Sequence, residues 1–387
     1  MNTNKKPLIL TMLLISLFQM GMVALSPVVA SITTAFPGTS QTVAQLAMTF
    51  LCLVLVIFAL FSGLIARRLG RRFMCAAGML LCALAGLCGA WLTTGLWMVY
   101  LWSAFLGAGT GLFVPAVSSM MIDYLNEDER SRVAGLQTAF VNLGGMLLSL
   151  FSGVLATQHW CNAYLVFLAA VPVFALALKF IPAESKQIEL STTAPDTRVR
   201  IPVAVWLAAV QTFLFAILYF VFSTNISLLI SERSLGGASL SGIATSAFML
   251  GGCLFGFVFD SVMRIAKNTT PSVAFLLVAA SYLLIYFSAS VPALMIAAFV
   301  GGGSLSLIFP YFLVTIAGKV DASVSVIASS LILSVGPNLG SFVSPMILTT
   351  LSNAIFGSVV AARFLLAAIA AIVMAILPLL LQRIRKE

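Results

Sequence analysis

Apolar runs of membrane-spanning length, each closed by a short polar or charged turn, follow one another from Leu8 to Leu381. A helix needs about 20 mostly apolar residues to cross the hydrocarbon core, whereas a barrel strand leaves an alternating pattern of about 10. The runs here are too long and alternate too weakly to be strands. They predict twelve helical spans: Leu8 to Ala30, Val43 to Ala66, Phe73 to Thr93, Leu96 to Ile122, Val133 to Thr157, Ala163 to Ile181, Val203 to Ile230, Leu240 to Val262, Val273 to Ala289, Pro292 to Ala317, Val324 to Leu351 and Phe356 to Leu381. Within them, small residues recur at helical spacing: Gly107, Gly109 and Gly111 in span 4, and Gly336 and Gly340 in span 11. Lipid gives helices little hydrophobic drive to associate, so these stripes read first as close-packing faces.

Composition narrows the class. Hydrophobic residues make up 61% of the 387 positions, charged residues 8%, and the mean hydropathy is +1.13. A soluble domain carries about 25% charged residues, so this chain cannot cover a water-facing surface. The expected class is an all-α membrane protein. The net charge of +9 changes the picture only through where it sits. Lys5, Lys6, Arg67, Arg68, Arg71, Arg72, Arg130, Arg132, Lys179, Lys186, Arg198, Arg200, Arg264, Lys267, Lys319, Arg383, Arg385 and Lys386 fall at the termini or in even-numbered connections, leaving only Arg233 and Arg363 for the other face. Basic residues are retained on the cytoplasmic side, so both termini are expected there. Charges scattered over short turns do not form a nucleic-acid site.

Two segments half a chain apart repeat one design, an apolar run followed by a glycine-led, arginine-bearing turn. The first is Gly63-Leu64-Ile65-Ala66-Arg67-Arg68-Leu69-Gly70-Arg71-Arg72, the second Gly256-Phe257-Val258-Phe259-Asp260-Ser261-Val262-Met263-Arg264. Between the halves runs a polar stretch rich in Glu, Lys and Arg. The organisation expected is an N-terminal six-helix half, residues 1–181, a cytoplasmic linker, 182–201, and a C-terminal six-helix half, 202–387. Related repeats that rock about a central site are a common way of moving a solute across a bilayer.

Several chemistries find no support. No nucleotide-hydrolysing G-x-x-x-x-G-K-[ST] loop exists, and the six cysteines form no C-x-x-C pair. His159 is the sole histidine and stands beside Trp160, where an interfacial boundary residue is the simpler reading. Lys5 and Lys6 ahead of an apolar run resemble a signal peptide, but the run exceeds the usual ~7 to 15 residues and is read as span 1. No cofactor, metal or catalytic group is expected, and an enzyme is the least supported class.

These features together resemble the major facilitator superfamily, over nearly the whole chain. Its signature between spans 2 and 3 is G-x-L-a-D-r-x-G-r-[KR], and Gly63, Ala66, Arg68, Gly70, Arg71 and Arg72 match it; Gly256, Asp260 and Arg264 fill the degenerate copy between spans 8 and 9. The resemblance implies two six-helix halves, alternating access, and a gating role for Gly63, Arg67, Gly70, Arg71, Asp260 and Arg264. It also exposes a departure, because the signature's aspartate is Arg67 here. In the family that acid sits against the positive start of a helix in the opposite half, where a cation is disfavoured. Asp321 could take over the acidic role by pairing with Arg67, and Asp123 could hold Arg71 or Arg72; the alternative is that all are solvated charges. The arginine that many proton-coupled members carry in span 4 is replaced by Ser103, each acid falls in a connection, a terminus or the last turns of a span, and the Gly-Pro pattern of antiporters is missing from span 5.

The family's cavity is lined chiefly by spans 1, 4, 7 and 10. In this sequence the lining expected is Gln19, Phe105, Asn142, Gln211, Phe215, Tyr219, Phe309 and Asn338, with a flexible Gly301-Gly302-Gly303 in span 10 and a helix interruption at Pro337. Such a cavity is aromatic, amide-rich and free of fixed charge, which suits neutral or amphipathic solutes. The expected function is secondary active transport of a small organic solute across the bacterial inner membrane, reading best as efflux of drugs or metabolites, with proton coupling left open. The alternatives are uptake of a polar nutrient and a non-transporting membrane sensor. The partners expected are the solute, lipid and in some schemes protons, with the chain acting as a monomer.

Overall fold

The computed structural model describes residues 5–183, 201–315 and 327–384, and these are helical almost throughout. Nine segments are long and apolar enough to cross a membrane among the described residues. Two of them are composite. Gln41–Trp91 turns back at Gly70, the one residue in it with non-helical backbone (φ 80°, ψ 159°). Ala238–Phe287 turns at Lys267, whose φ is 47°. Divided at those turns, and joined by Val360–Ile384, the segments account for the twelve spans read from the sequence.

The turns themselves need correcting. Gly63 and Gly256 do not make them; both lie inside helices with open space around them, and the reversals fall later, at Gly70 and Lys267. A left-handed φ costs glycine nothing sterically, which explains Gly70. Near the far end of span 11 the helix continues to Phe356, and span 12 starts at Val360 rather than Phe356.

Ends of helices are closed by specific side chains. Ser40 Oγ accepts from Val43 N at 3.3 Å to start span 2, and Asn126 with Glu129 forms a reciprocal cap at the start of Glu127–Leu155. Arg72 donates to Leu178 O, Arg130 to Ile122 O at 2.8 Å, and Arg233 to Ile285 O, Tyr286 O and Ser288 O, so arginines serve the unpaired carbonyls where spans 6, 4 and 9 end. Lys5 pairs with Glu129 at 2.8 Å. That contact brings the N-terminal residues beside the connection between spans 4 and 5, defining one end of the bundle, here the terminal end; the opposite one is the far end.

Close backbone approach through glycine sets much of the packing. A Cβ on Gly107 would lie 2.4 Å from Leu51 O, and one on Gly340 2.4 Å from Phe213 O, so the small-residue stripes of spans 4 and 11 seat spans 2 and 7 against them. The triple glycine of span 10 is likewise a packing device rather than a flexible one: a Cβ on Gly302 would fall 1.7 Å from Phe248 O, and one on Gly303 2.4 Å from the Phe255 ring.

Three spans are irregular. Span 1 is α-helical over Lys5–Ser16, turns at residues 17–20 and continues as a tighter 3-10 helix over Gly21–Val28. Span 10 steps at Ser304 between Val291–Gly303 and Leu305–Thr315. Span 11 widens to π geometry over Leu331–Val335 and Pro345–Thr349, on either side of Gly336–Ser344. Proline has no N–H for the regular ladder, and Pro337 and Pro345 stand where the ladder shifts. Val203–Glu232, span 7, is the most buried of the nine long apolar segments among the described residues.

Candidate functional site

Spans 1 to 6 meet spans 7 to 12 along a central seam, and the polar side chains that join them are the site's best-defined feature. At the end of span 1, Ser26 Oγ donates to Ser223 O at 2.5 Å, and Ser227 Oγ donates to Pro27 O at 2.9 Å while accepting from Ala30 N at 3.2 Å. At the start of span 2, Gln45 is fully buried; its Nε2 donates to Asn225 Oδ1 at 2.7 Å and Thr224 O at 3.0 Å, and its Oε1 accepts from Thr349 Oγ1 at 2.7 Å. Arg363, at 0% exposure, completes the cluster: Nη1 donates to Asn225 Oδ1 at 2.9 Å and Nη2 to Asn353 Oδ1 at 3.2 Å and to Gln41 Oε1 across the seam. Spans 5 and 8 join through Ser246 Oγ, which donates to Met146 O at 2.9 Å and lies 3.1 Å from Ser149 Oγ. All these residues belong to the far half of their spans. The two halves are therefore laced together at the far end.

A buried polar group costs free energy unless it is paired, so a cluster this large is held in place by mutual satisfaction. Its acceptors are neutral amides and carbonyls. Glu232 lies close by, its carboxylate oxygens accepting from Val360 N at 2.9 Å and Ala361 N at 3.3 Å at the start of span 12. A carboxylate at a helix N-terminus is a favourable placement.

The cluster was missed in the sequence. The sequence assigns Arg363 to the face opposite the termini and leaves the cavity free of fixed charge; the structure instead buries that guanidinium completely. One of only two basic residues expected on that face, standing a few positions inside an apolar segment, is the available signal. Asn225 extends the span 7 stripe of Gln211, Phe215, Tyr219 and Phe222 by one further helical step.

Other expected lining residues divide into two groups. Gln19 sits in the turn that interrupts span 1 and Gln211 near the terminal end of span 7; both are half-buried, and neither side chain has a hydrogen-bond partner among the described residues. Phe105 is half-buried with its ring 5.6 Å from Trp102, and Phe309 is half-buried with its ring 6.3 Å from Phe215. These four remain partly accessible.

Phe215 and Tyr219 do not. Phe215 is 0% exposed and packs on Phe275, and Tyr219 is 2% exposed with its ring 4.8 Å from Phe248, which itself stacks on Phe222 at 4.1 Å. In this conformation both belong to an aromatic core within spans 7 to 9 because span 7 presents its rings to neighbours on every side. Asn142 donates to Thr138 O at 3.0 Å and Asn338 to Ser334 O at 2.8 Å, each one turn back on its own helix, though the Asn142 amide also lies against Gly252 across the seam.

At the terminal end the expected gating residues are brought together only in part. Arg71 donates to Asp123 Oδ2 at 2.5 Å, lies 3.4 Å from Ser119 Oγ and stacks over the Tyr124 ring at 5.6 Å. Of the two arginines considered for Asp123, Arg71 is the partner, while Arg72 caps span 6. Arg67 is exposed, and Asp321 lies outside the described residues. Asp260 and Arg264 are exposed and have no partner among the described residues. The Lys5 ammonium, then the Asn126 N–H, hold the Glu129 carboxyl below its ordinary pKa by bonding the charged form.

Comparison with known proteins bears on this arrangement. The Major Facilitator Superfamily model matches residues 11–345. Among solved structures, a mutant of the nucleoside transporter NupG superposes with a TM-score of 0.77 at 11% identity, covering 96% of this chain and 98% of that one. A bacterial homologue of the human lysosomal transporter Spinster, in an inward-facing and occupied conformation, gives 0.75 at 15% identity, covering 99% and 98%. No curated protein sequence matches. Identities this low speak for the fold alone, but a family model that spans both halves of the bundle, including the interrupted span 1 and the paired turn at Arg71, identifies the chain itself. It belongs to the major facilitator superfamily.

Proposed function

We propose that this protein is a secondary transporter that carries a small organic solute across a bacterial inner membrane by alternating access, in the direction of efflux, with both termini in the cytoplasm. The observation that carries the reading is the lacing of the two halves at the far end by Gln41, Gln45, Asn225, Thr349 and Arg363. Short hydrogen bonds between separate bodies can be made and broken as a unit, which is what a gate requires. The basic residues gathered at the terminal end support a cytoplasmic position for it. The conformation is then closed outside, ready to take up a solute from within.

The half-buried Phe105 and Phe309 rings, and the Gln19 and Gln211 amides without partners among the described residues, favour an amphipathic solute held by stacking and a few hydrogen bonds. Gln19 and Gln211 also favour a second reading, uptake of a polar nutrient, since amides without protein partners suit a hydrogen-bonding cargo. The domain division at residues 182–201 belongs to the same proposal, as does a monomeric working unit. Dye accumulation in cells with and without the protein, and with and without a protonophore, tests it. Lower accumulation in expressing cells supports efflux, and loss of that difference on adding the protonophore supports proton coupling. Higher accumulation supports uptake, and no solute flux in proteoliposomes removes transport altogether.

A further inference from the structure

The Arg363 guanidinium has donor capacity that the seal leaves unused. Among the described residues its Nε has no hydrogen-bond partner, and its Nη1 and Nη2 meet only the neutral amide oxygens of Asn225, Asn353 and Gln41. At 0% exposure, water does not make up the difference. Glu232 acts on the charge through space, yet both its oxygens are engaged by the Val360 and Ala361 N–H groups. A buried cation held by neutral groups is expensive unless some other state of the protein uses it.

Geometry indicates what that use is. Nε and Nη2 form one edge of the planar group, the edge that meets a carboxylate through two parallel hydrogen bonds. On that edge Nε is unmatched, and of the two Nη2 partners Gln41 belongs to the opposite half of the protein. When the halves part at the far end, Gln41 and Gln45 leave together. The Nε–Nη2 edge is then uncovered, and the Thr349 hydroxyl, released from Gln45, becomes a third donor beside it.

We propose that this edge of Arg363 is a carboxylate-recognition site for the transported solute, covered by Gln41 in the sealed state and exposed by opening. The inference rests on the transport reading above and narrows its solute to amphipathic compounds bearing a carboxylate. Glu232 acts only at a distance, its oxygens being engaged at the start of span 12, so the solute supplies the directly bonded counter-charge and its binding favours the open far end.

The test is thermal unfolding of the full-length protein in lipid nanodiscs with sodium benzoate, its neutral analogue benzamide, or sodium chloride, at equal ionic strength. Benzoate raises the Tm saturably, while benzamide and chloride do not. Gln45→Ala weakens the competing seal and raises the apparent benzoate affinity about tenfold, because the competent state becomes more populated. Arg363→Lys keeps the charge without the two-donor edge and retains under about a tenth of the affinity, and Arg363→Gln abolishes the response. Equal responses to benzoate and benzamide, a response to chloride alone, or full affinity in Arg363→Lys each overturn the proposal. If Arg363→Gln does not fold, the lysine and Gln45→Ala variants decide. Flux in proteoliposomes separates the two readings: benzoate binding through Arg363 without any solute movement removes transport but keeps the site, and flux without a benzoate response removes the site alone.

Discussion

Arg71 and Asp123 form an ion pair of unequal burial: the guanidinium side chain is 4% exposed and the carboxylate side chain 47%, with 2.5 Å between them. The arginine is committed to the protein, and the acid answers it from the rim. Asp123→Asn should therefore cost about 2 kcal/mol in unfolding free energy, the range for a hydrogen bond to a charged group. Denaturant titration of the purified protein measures it. A loss below a few tenths would mean that Ser119 and Tyr124 hold Arg71 unaided.

The two glycines of the first repeat should respond in opposite ways to alanine. Gly70→Ala forces a side chain into φ 80°, ψ 159° and should destabilise by about 1–3 kcal/mol. Gly63 sits in a helix with nothing near its missing Cβ, so Gly63→Ala should be neutral or stabilising by up to about 1 kcal/mol. Should Gly63→Ala abolish flux while keeping its stability, the glycine serves a contact made only when the terminal end closes.

Gln45→Ala removes three hydrogen bonds across the seam. At about 1 kcal/mol for each, the population open at the far end should rise by tenfold or more. Spin labels at Thr39→Cys and Ser358→Cys, in a background without the native cysteines, report this as growth of a longer-distance population. An unchanged distance distribution would remove Gln45 from the gate.

Glu129 gives a pH prediction with a definite sign. Its folded pKa lies below the ordinary 4.5, so the Lys5 contact stabilises fully above that value and is lost as pH falls through the lowered one. Amide exchange in the first turn of span 5 should accelerate below that point in the native protein. Glu129→Gln, which retains an acceptor but no titrating charge, should flatten the dependence.

The spans were legible because each must bury twenty or so apolar residues, a demand written directly in hydropathy. What stayed hidden follows from the same cause. Arg363 stands near the end of an apolar run, where charge is ordinary for a boundary, and only the chain's three-dimensional course reveals that it points inward to Asn225 and Gln41. Phe215 and Tyr219 formed a convincing stripe, yet a stripe on a helix packed on all sides does not say which neighbour receives it. The turns at Gly70 and Lys267 were displaced from their apparent glycines because Gly63 and Gly256 continue comfortable helices, and only one of the two reversals uses glycine at all. Arg71 with Asp123 was recoverable, since both lie at the same end of adjacent apolar runs.

The seal's reliance on neutral partners has an environmental consequence. Exposed ion pairs fade as salt shortens the Debye length from about 30 Å in dilute solution to about 3 Å in molar brine. Hydrogen bonds from Gln45, Thr349 and Ser26 to amides and carbonyls have no long-range attraction to lose. The far-end closure should hold equally well in fresh water and in sea water, leaving the solute itself to set when the protein opens.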